Sequence, residues 1–367
     1  MPEEAAGDAP KPIQRRKDDH LTVAARDDIE HVSRGGFEHY RVRHRALPGR
    51  DLSEVDLAVD CLGHRLAAPL IISSMTGGTE RARQVNAKLA IAAEASGLAM
   101  GLGSGRAALE HPELAATFRL PVRPPLLLAN LGAVQLRRGL GPADAERLVD
   151  LMEADGLFLH LNPIQEAVQP EGDTEFGRLL DPIRAVVERL APRPVVVKEV
   201  GFGLSPEDVR DLLACGVAAI DVSGAGGTNW ALIEGQRDPA AGKVAAAFAD
   251  WGWPTVTSLL EAVRLARPAG VPVFASGGIR DGVDAAVALA LGAALAGLAR
   301  PMLIAALEDR ATEEAAILVR QLRIAVWATG AARVADLSPA NLLRDGAPVH
   351  SAPNAAAPID GAPAVAG

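Results

Sequence analysis

Cysteine is nearly absent. The 367 residues hold two, Cys61 and Cys215, too few for a disulfide framework or a cysteine-based zinc site. Cys215 ends the helical pattern "RDLLACG", so a small buried hydrophobe is its expected role. Aromatic residues are only 3%, which argues against recognising nucleic acid by base stacking. Positive charge is short too. The 37 Lys and Arg against 46 Asp and Glu give a formal charge of −9, unfavourable for a general polyanion binder. Any phosphate ligand must then be held by local devices. No apolar run approaches the ~18 residues a membrane span needs, and the acidic, Pro-rich start "MPEEAAGDAPKP" is unlike a secretory signal. A soluble, cytoplasmic protein with neither nucleic-acid nor membrane partners is expected.

Apolar residues, by contrast, make up 49%, enough for a sizeable core in one large domain or two. Residues 1–12 and the Ala/Pro/Gly-rich stretch 345–367 lack apolar periodicity and are expected to be disordered tails. Between them, eight short apolar runs alternate with helical patterns: "PLIISSM", "LAMGLGS", "PLLLANLG", "GLFLHLN", "PVVVKEVG", "VAAIDVSG", "PVFASGG" and "ALAGLAR". Runs apolar on both faces and joined by helices imply parallel strands covered on each side. Eight of them fit an α/β fold of the (β/α)₈ TIM-barrel type over residues 61–344, with an amino-terminal arm and extension at 13–60. An open doubly wound sheet is the alternative. The barrel is preferred because most runs end in Gly, Ser, Asn, Lys or Arg, at the face where such barrels carry chemistry.

Polar residues gather at those strand ends. In "GLFLHLNPIQEAVQPEGD", period two puts Phe158, His160 and Asn162 on one face and Leu157, Leu159 and Leu161 on the other. A lone histidine on an apolar strand is usually a satisfied core residue. Four polar side chains within seven positions (His160, Asn162, Gln165 and Glu166) favour a ligand site, while Glu171 and Asp173 read as solvated. In "PVVVKEVGFG" the same rule aligns Val196, Lys198 and Val200; a lysine so placed either faces a ligand's negative charge or snorkels. "SGGIRD" sets Gly278 and Arg280 before a helix starting near Asp281, and "GLARP" adds Ala299 and Arg300. Loops after the seventh and eighth strands are a frequent phosphate site, although Gly-rich turns are common. "DVSGAGGTNW" and "SSMTGG" leave bare backbone with Ser223, Thr228 and Thr76 beside it; Trp230 reads as core or as a stacking ring. The run "RRKDDH" is by itself a solvated face.

Taken together, "RKDDH", "SSMTGG", "HLNPIQEAVQPEGD", "VKEVGFG" and "DVSGAGGTNW" resemble the type 2 isopentenyl-diphosphate isomerases over nearly the whole chain, from the arm to about Leu337. The resemblance implies interconversion of isopentenyl and dimethylallyl diphosphate on a barrel that binds FMN in its reduced form. It also implies Mg²⁺, NADPH or another reductant, and a homo-oligomer (tetramer or octamer). It would set Met75, Thr76, Gly77, Ser104, Asn130, Lys198, Ser223 and Thr228 around the flavin ring and ribityl chain. Gly278, Arg280, Ala299 and Arg300 would hold the FMN phosphate. Arg16, Lys17, His20, Arg106, His160 and Asn162 would hold the substrate diphosphate, with Gln165 at the substrate and Glu166 on the metal. Gln165 and Lys198 would serve catalysis beside the flavin, itself the acid and base. Since the arm has little apolar content, it is expected to be mobile until a diphosphate arrives.

Competing readings remain. A 2-hydroxy-acid oxidase on the same barrel would use a histidine late in the chain, and none occurs between His160 and His350. A purine-nucleotide dehydrogenase would need a cysteine in "SGAGGTNW". A non-catalytic flavin-binding scaffold is opposed by the polar set at the barrel mouth.

Overall fold

All eight apolar runs become strands, and they pair in chain order into one closed parallel barrel. The strands are β1 Leu70–Ile72, β2 Ala99–Gly101, β3 Leu126–Gly132, β4 Gly156–Leu161, β5 Val195–Glu199, β6 Ala219–Asp221, β7 Val273–Ala275 and β8 Leu295–Leu298. β8 returns to β1 with Ala296 opposite Leu70, which closes the ring and excludes the open sheet. The computed structural model describes residues 12–349, so most of both expected tails lie outside the described residues.

Alternation sorts the side chains as read. Leu157 and Leu159 join the outer core with the helices, whereas Phe158 joins Ile71, Leu126, Leu128, Val196, Phe274 and Leu295 inside the barrel. Cys61 and Leu66, from the hairpin Val59–Cys61 and His64–Leu66, close that inner cluster. This floor blocks the barrel's lower half, so any ligand must sit at the upper end.

Helix punctuation follows the local chemistry. Thr79 accepts from Ala82 N and starts α2 (Glu80–Ser96), which Gly97 ends at φ +64°. Ser205 and Asp208 form a capping box on α7 (Pro206–Ala214), and Asp281 caps α11 (Gly282–Ala290) through Val283 N and Asp284 N. The outer ring also includes α4 (Pro142–Leu151), α6 (Leu180–Leu190), α10 (Thr255–Ala266) and α13 (Ala311–Ala328). After β2 come the short α3 (Arg106–Glu110) and a 3-10 helix, Pro112–Phe118, whose Phe118 ring packs beside Gly77 and Lys17 at the mouth.

Two features depart from expectation. The charge run lies on a formed helix, α1 (Pro12–Ala24), seated on the barrel mouth. Leu21 and Val23 are buried there, and Thr79 Oγ1 donates to Asp18 Oδ1 at 2.7 Å, so the arm is folded and packed against the barrel. At the other end, Leu342–Arg344 pairs with Tyr40–Val42 and with Ala347–Pro348, inside the stretch read as tail.

Candidate active site

Above the Phe158 floor the inward positions turn polar. Register places His160 beside Lys198, and Lys198 beside Asp221, so neighbouring strands aim these groups into one space. His160 Nδ1 lies 2.7 Å from Asn130 Oδ1. Burial, then the nearby Lys198 and Lys17, push the His160 ring down to about 3. The imidazole is therefore neutral at physiological pH, with its Nδ1–H donating to Asn130. Lys198 Nζ donates to the Glu199 carbonyl at 2.5 Å; burial lowers its pKa, while Asp221 and Glu199 oppose the shift. Buried Asp221 accepts from Ser276 Oγ at 2.7 Å and has its carboxyl pushed up by burial. Lys198 thus meets an internal counter-charge and does not snorkel. Small residues keep the space open: a Cβ on Gly101 would lie 2.4 Å from Ser74 Oγ, and one on Gly297 2.7 Å from Ser73 Oγ.

The arm supplies a second wall. Lys17 Nζ donates to Ser104 O at 2.9 Å and sits 5.3 Å from the Phe118 ring centre. Burial, then Arg16 and Arg106, push Lys17 down to about 7. Arg16 is likewise destabilised by burial and by Arg106, a charge held at a cost because guanidinium does not deprotonate. Two guanidinium groups and an ammonium whose pKa burial has pushed down to about 7 share this wall, a site suited to an anion.

Facing them is the shelf of α5 (Pro163–Val168) and its loop. Asn162 Nδ2 donates to Glu166 Oε1 at 2.9 Å and to Gln165 Oε1 at 3.1 Å. Glu166 Oε2 accepts from Asp173 N at 2.7 Å. Behind the shelf, wholly buried Glu234 on α8 (Trp230–Arg237) accepts from Gln165 Nε2 at 2.8 Å and Arg237 Nη1 at 2.5 Å. Its Oε1 is 2.9 Å from His20 Nε2. Gln169, with its amide turned, donates to Glu234 at 3.2 Å and accepts from Arg16 Nη1 at 3.0 Å. Trp230 meets His20 edge-on, with ring centres 5.3 Å apart. It is half-buried and lines the cavity, so it serves both core and site.

On the remaining side, two glycine loops approach backbone to backbone. Gly278 has φ +81°, and a Cβ there would meet Gly226 O at 2.4 Å. Arg280 Nη1 is buried without a hydrogen-bond partner. Glu30 lies close to both nearby arginines, 3.2 Å from Arg300 Nη1 and 3.9 Å from Arg280 Nη2. Its segment bridges to Thr228, and His31 N donates to Gly227 O at 2.8 Å.

Every residue expected from the sequence to bind cofactor, substrate or metal lines a single cavity of about 420 Å³. Met75, Thr76, Gly77 and Ser104 come from β1 and β2, Ser223 and Thr228 from β6, and Gly278, Arg280, Ala299 and Arg300 from β7 and β8. Asp173 corrects the reading: it is not solvated, but accepts from Arg106 Nη1 at 3.0 Å and Gln135 Nε2 at 2.9 Å. Glu171, exposed as expected, pairs with Arg237 at 3.1 Å. Missed altogether were Glu30, Gln135, Gln169, Asp221 and Glu234. Glu234 had a signal, a lone carboxylate inside the apolar run "WALIEG". Glu30 had none.

Comparison with known proteins agrees with this geometry. A family model described as FMN-dependent dehydrogenase matches residues 11–117 and 177–344. An isopentenyl-diphosphate delta-isomerase of Synechococcus sp. is 48% identical over 90% of this chain and 97% of its own length. One of Stutzerimonas stutzeri is 48% identical over 90% and 96%, and one of Rickettsia bellii 41% over 92% and 99%. Among solved structures, an (S)-mandelate dehydrogenase superposes with TM-score 0.63 at 19% identity, covering 89% of this chain and 99% of that one. A flavocytochrome b2 gives 0.62 at 19%, covering 88% and 82%. These structural likenesses show the barrel alone. The sequence relatives go further, and the chain belongs to the FMN-dependent, type 2 isopentenyl-diphosphate delta-isomerases.

Proposed function

We propose that this enzyme interconverts isopentenyl and dimethylallyl diphosphate, with reduced FMN as acid and base and Mg²⁺ used to bind the diphosphate. The observation that carries the reading is one cavity with a cationic arm wall, a neutral histidine and an unpaired buried Arg280 nitrogen beside two glycine loops. The residues fit FMN. Gly278 packs too closely on Gly226 to carry a Cβ, which leaves its backbone bare, and Arg280 with Arg300 would take the phosphate. Lys198 would stabilise negative charge on the reduced ring, as a buried ammonium does for a nearby anion. They fit Mg²⁺ as well. Among the described residues no group of three or more His, Cys, Asp or Glu could hold a metal. One carboxylate, Glu166, plus substrate oxygens and water suits an ion that keeps several waters.

The double-bond shift adds a proton at the terminal methylene and removes one from C2, through a tertiary cationic centre. When bound, reduced FMN would supply the proton donor and acceptor that the side chains lack, with an electron-rich ring. Arg16, Lys17, Arg106 and the Glu166 shelf bind the diphosphate and so fix the alkene over the cavity floor. Gln165, locked by Glu234, presents a fixed amide to the substrate. The apolar inner cluster beneath keeps water from the cation.

The test is isopentenyl diphosphate with FMN, Mg²⁺ and catalytic NADPH or dithionite under anaerobic conditions. Many turnovers without net use of reductant are expected. One reductant consumed per product would instead favour the 2-hydroxy-acid oxidoreductase reading. Against that reading, no histidine lies beyond His160 among the described residues.

Glu30 adds a second expectation. Its carboxylate, 28% exposed, lies beside both arginines assigned to the FMN phosphate. Glu30→Gln should tighten FMN severalfold, in line with about 1 kcal/mol for a partly exposed charge contact. Fluorescence titration of apoprotein reads this directly, and weaker FMN binding would mean that Glu30 instead orients the arginines.

A further inference from the structure

The carboxylate of Asp173 has no part in the reading above, yet it joins three segments of the cavity rim. Oδ2 accepts from Arg106 Nη1 at 3.0 Å, where α3 begins, and from Gln135 Nε2 at 2.9 Å, just after β3. Oδ1 faces Arg138 Nε at 3.3 Å. The residue's own N–H donates to Glu166 Oε2 at 2.7 Å. Its side chain is 12% exposed, so these contacts are largely shielded from water.

Arg106 needs such a clamp. It lines the cavity, stands at the first position of a five-residue helix, and brings considerable rotamer freedom. Glu110 lies 3.1 Å from its Nε as an ion pair without a hydrogen bond, so the hydrogen bond from Nη1 to Asp173 is what fixes the guanidinium's direction. An arginine fixed before the anion arrives loses less entropy when it binds. The opposing effect is charge, because a carboxylate beside Arg106 weakens its pull on an anion. Here Arg138 and Gln135 already offset that carboxylate. Removing it would leave Gln135 without this acceptor, Arg106 with Glu110 alone and Arg138 with Glu175 alone, so the three could separate.

We propose that Asp173 is a positioning residue for the diphosphate: it acts through Arg106, and sets where the anion lies relative to the Glu166 carboxylate that its own backbone N–H holds. This rests on the reading of Arg106 as a diphosphate ligand.

A double-mutant cycle on the FMN-loaded enzyme tests it, with Asp173→Ala, Arg106→Ala and the pair. Two readouts are taken with Mg²⁺ present: KM for isopentenyl diphosphate and Kd for inorganic pyrophosphate by calorimetry. Asp173→Ala should raise both by about tenfold, the scale of one lost charge-assisted contact, with a smaller effect on kcat. In the Arg106→Ala background it should add nothing. Because the backbone N–H survives, the Mg²⁺ half-saturation should not move. Asp173→Asn, nearly the same shape, guards against a folding defect and should fall between wild type and Asp173→Ala. An unchanged or lowered pyrophosphate Kd, or an equal loss in both backgrounds, overturns the proposal. Wild type that binds pyrophosphate through this pair yet fails to isomerise sinks the functional reading while the proposal stands.

Discussion

Arg16→Ala combined with Lys17→Ala should cut kcat/KM by about 10²- to 10⁴-fold, as two lost charge-assisted contacts of about 1.5–3 kcal/mol each imply. Most of the loss should fall on KM, and the protein should keep its flavin. The two side chains stand on α1 and are not among the residues read as holding the FMN phosphate, and their charges are already stripped of much of their water. A diphosphate therefore meets cations whose desolvation folding has largely covered. Gly78 shows how close the packing is, since a Cβ there would lie 2.9 Å from Lys17 Nζ. If KM is unchanged, the run is a docking surface only. Flavin loss would mean that the arm is a folding element.

The same burial gives this wall a pH signature. Lys17, pushed down to about 7, is charged in the free enzyme below that pH and neutral above it. The profile of kcat/KM, which reports free enzyme, should fall as pH rises through about 7. Bound diphosphate favours the ammonium, so the corresponding limb of kcat should lie higher. Pyrophosphate binding at pH 8 should take up a proton, visible as a buffer-dependent calorimetric heat. Lys17→Arg keeps its charge and should lose the limb. His160, at about 3, contributes no limb near its ordinary value.

The barrel was legible because a buried parallel strand is apolar on both faces, and the residues that break that pattern mark the mouth. Period two separated Leu157 and Leu159 from Phe158, and the same count brought His160 and Lys198 inside. Pairings across the chain left no such trace. Glu30 meets Arg300 across 270 positions, and His20 meets Glu234 from another helix. Nothing local tells which distant charge a carboxylate will face. The helical arm was hidden for a related reason: charge dominates "RRKDDH", and the apolar residues that dock it, Leu21 and Val23, follow after the run. Asp173 was misread because a loop carboxylate is usually solvated, whereas this one closes on residues from two other loops.

Glu166→Gln should weaken Mg²⁺ dependence and activity together, with activity falling on the order of 10²-fold, about 2.7 kcal/mol. An acidic protein that binds a diphosphate beside a carboxylate faces repulsion unless a cation lies between them. On the proposed reading, Glu166 takes that role. It lines the cavity, while Glu234 is wholly buried behind Gln165 and Asp173 is taken up by Arg106 and Gln135. Both of its oxygens are oriented, Oε1 by Asn162 Nδ2 and Oε2 by Asp173 N. A glutamine keeps only one acceptor against those two donors, so it loses charge and orientation at once. FMN should stay bound, because the glycine loops of β6 and β7 are on another side of the cavity. The informative measurement is Mg²⁺ titration at saturating substrate. Glu166→Gln should shift the half-saturation to higher Mg²⁺, whereas Asp173→Ala should shift substrate KM and leave Mg²⁺ unmoved. Wild-type activity with an unchanged Mg²⁺ half-saturation in Glu166→Gln would place the metal elsewhere and reduce the shelf to a substrate-positioning surface.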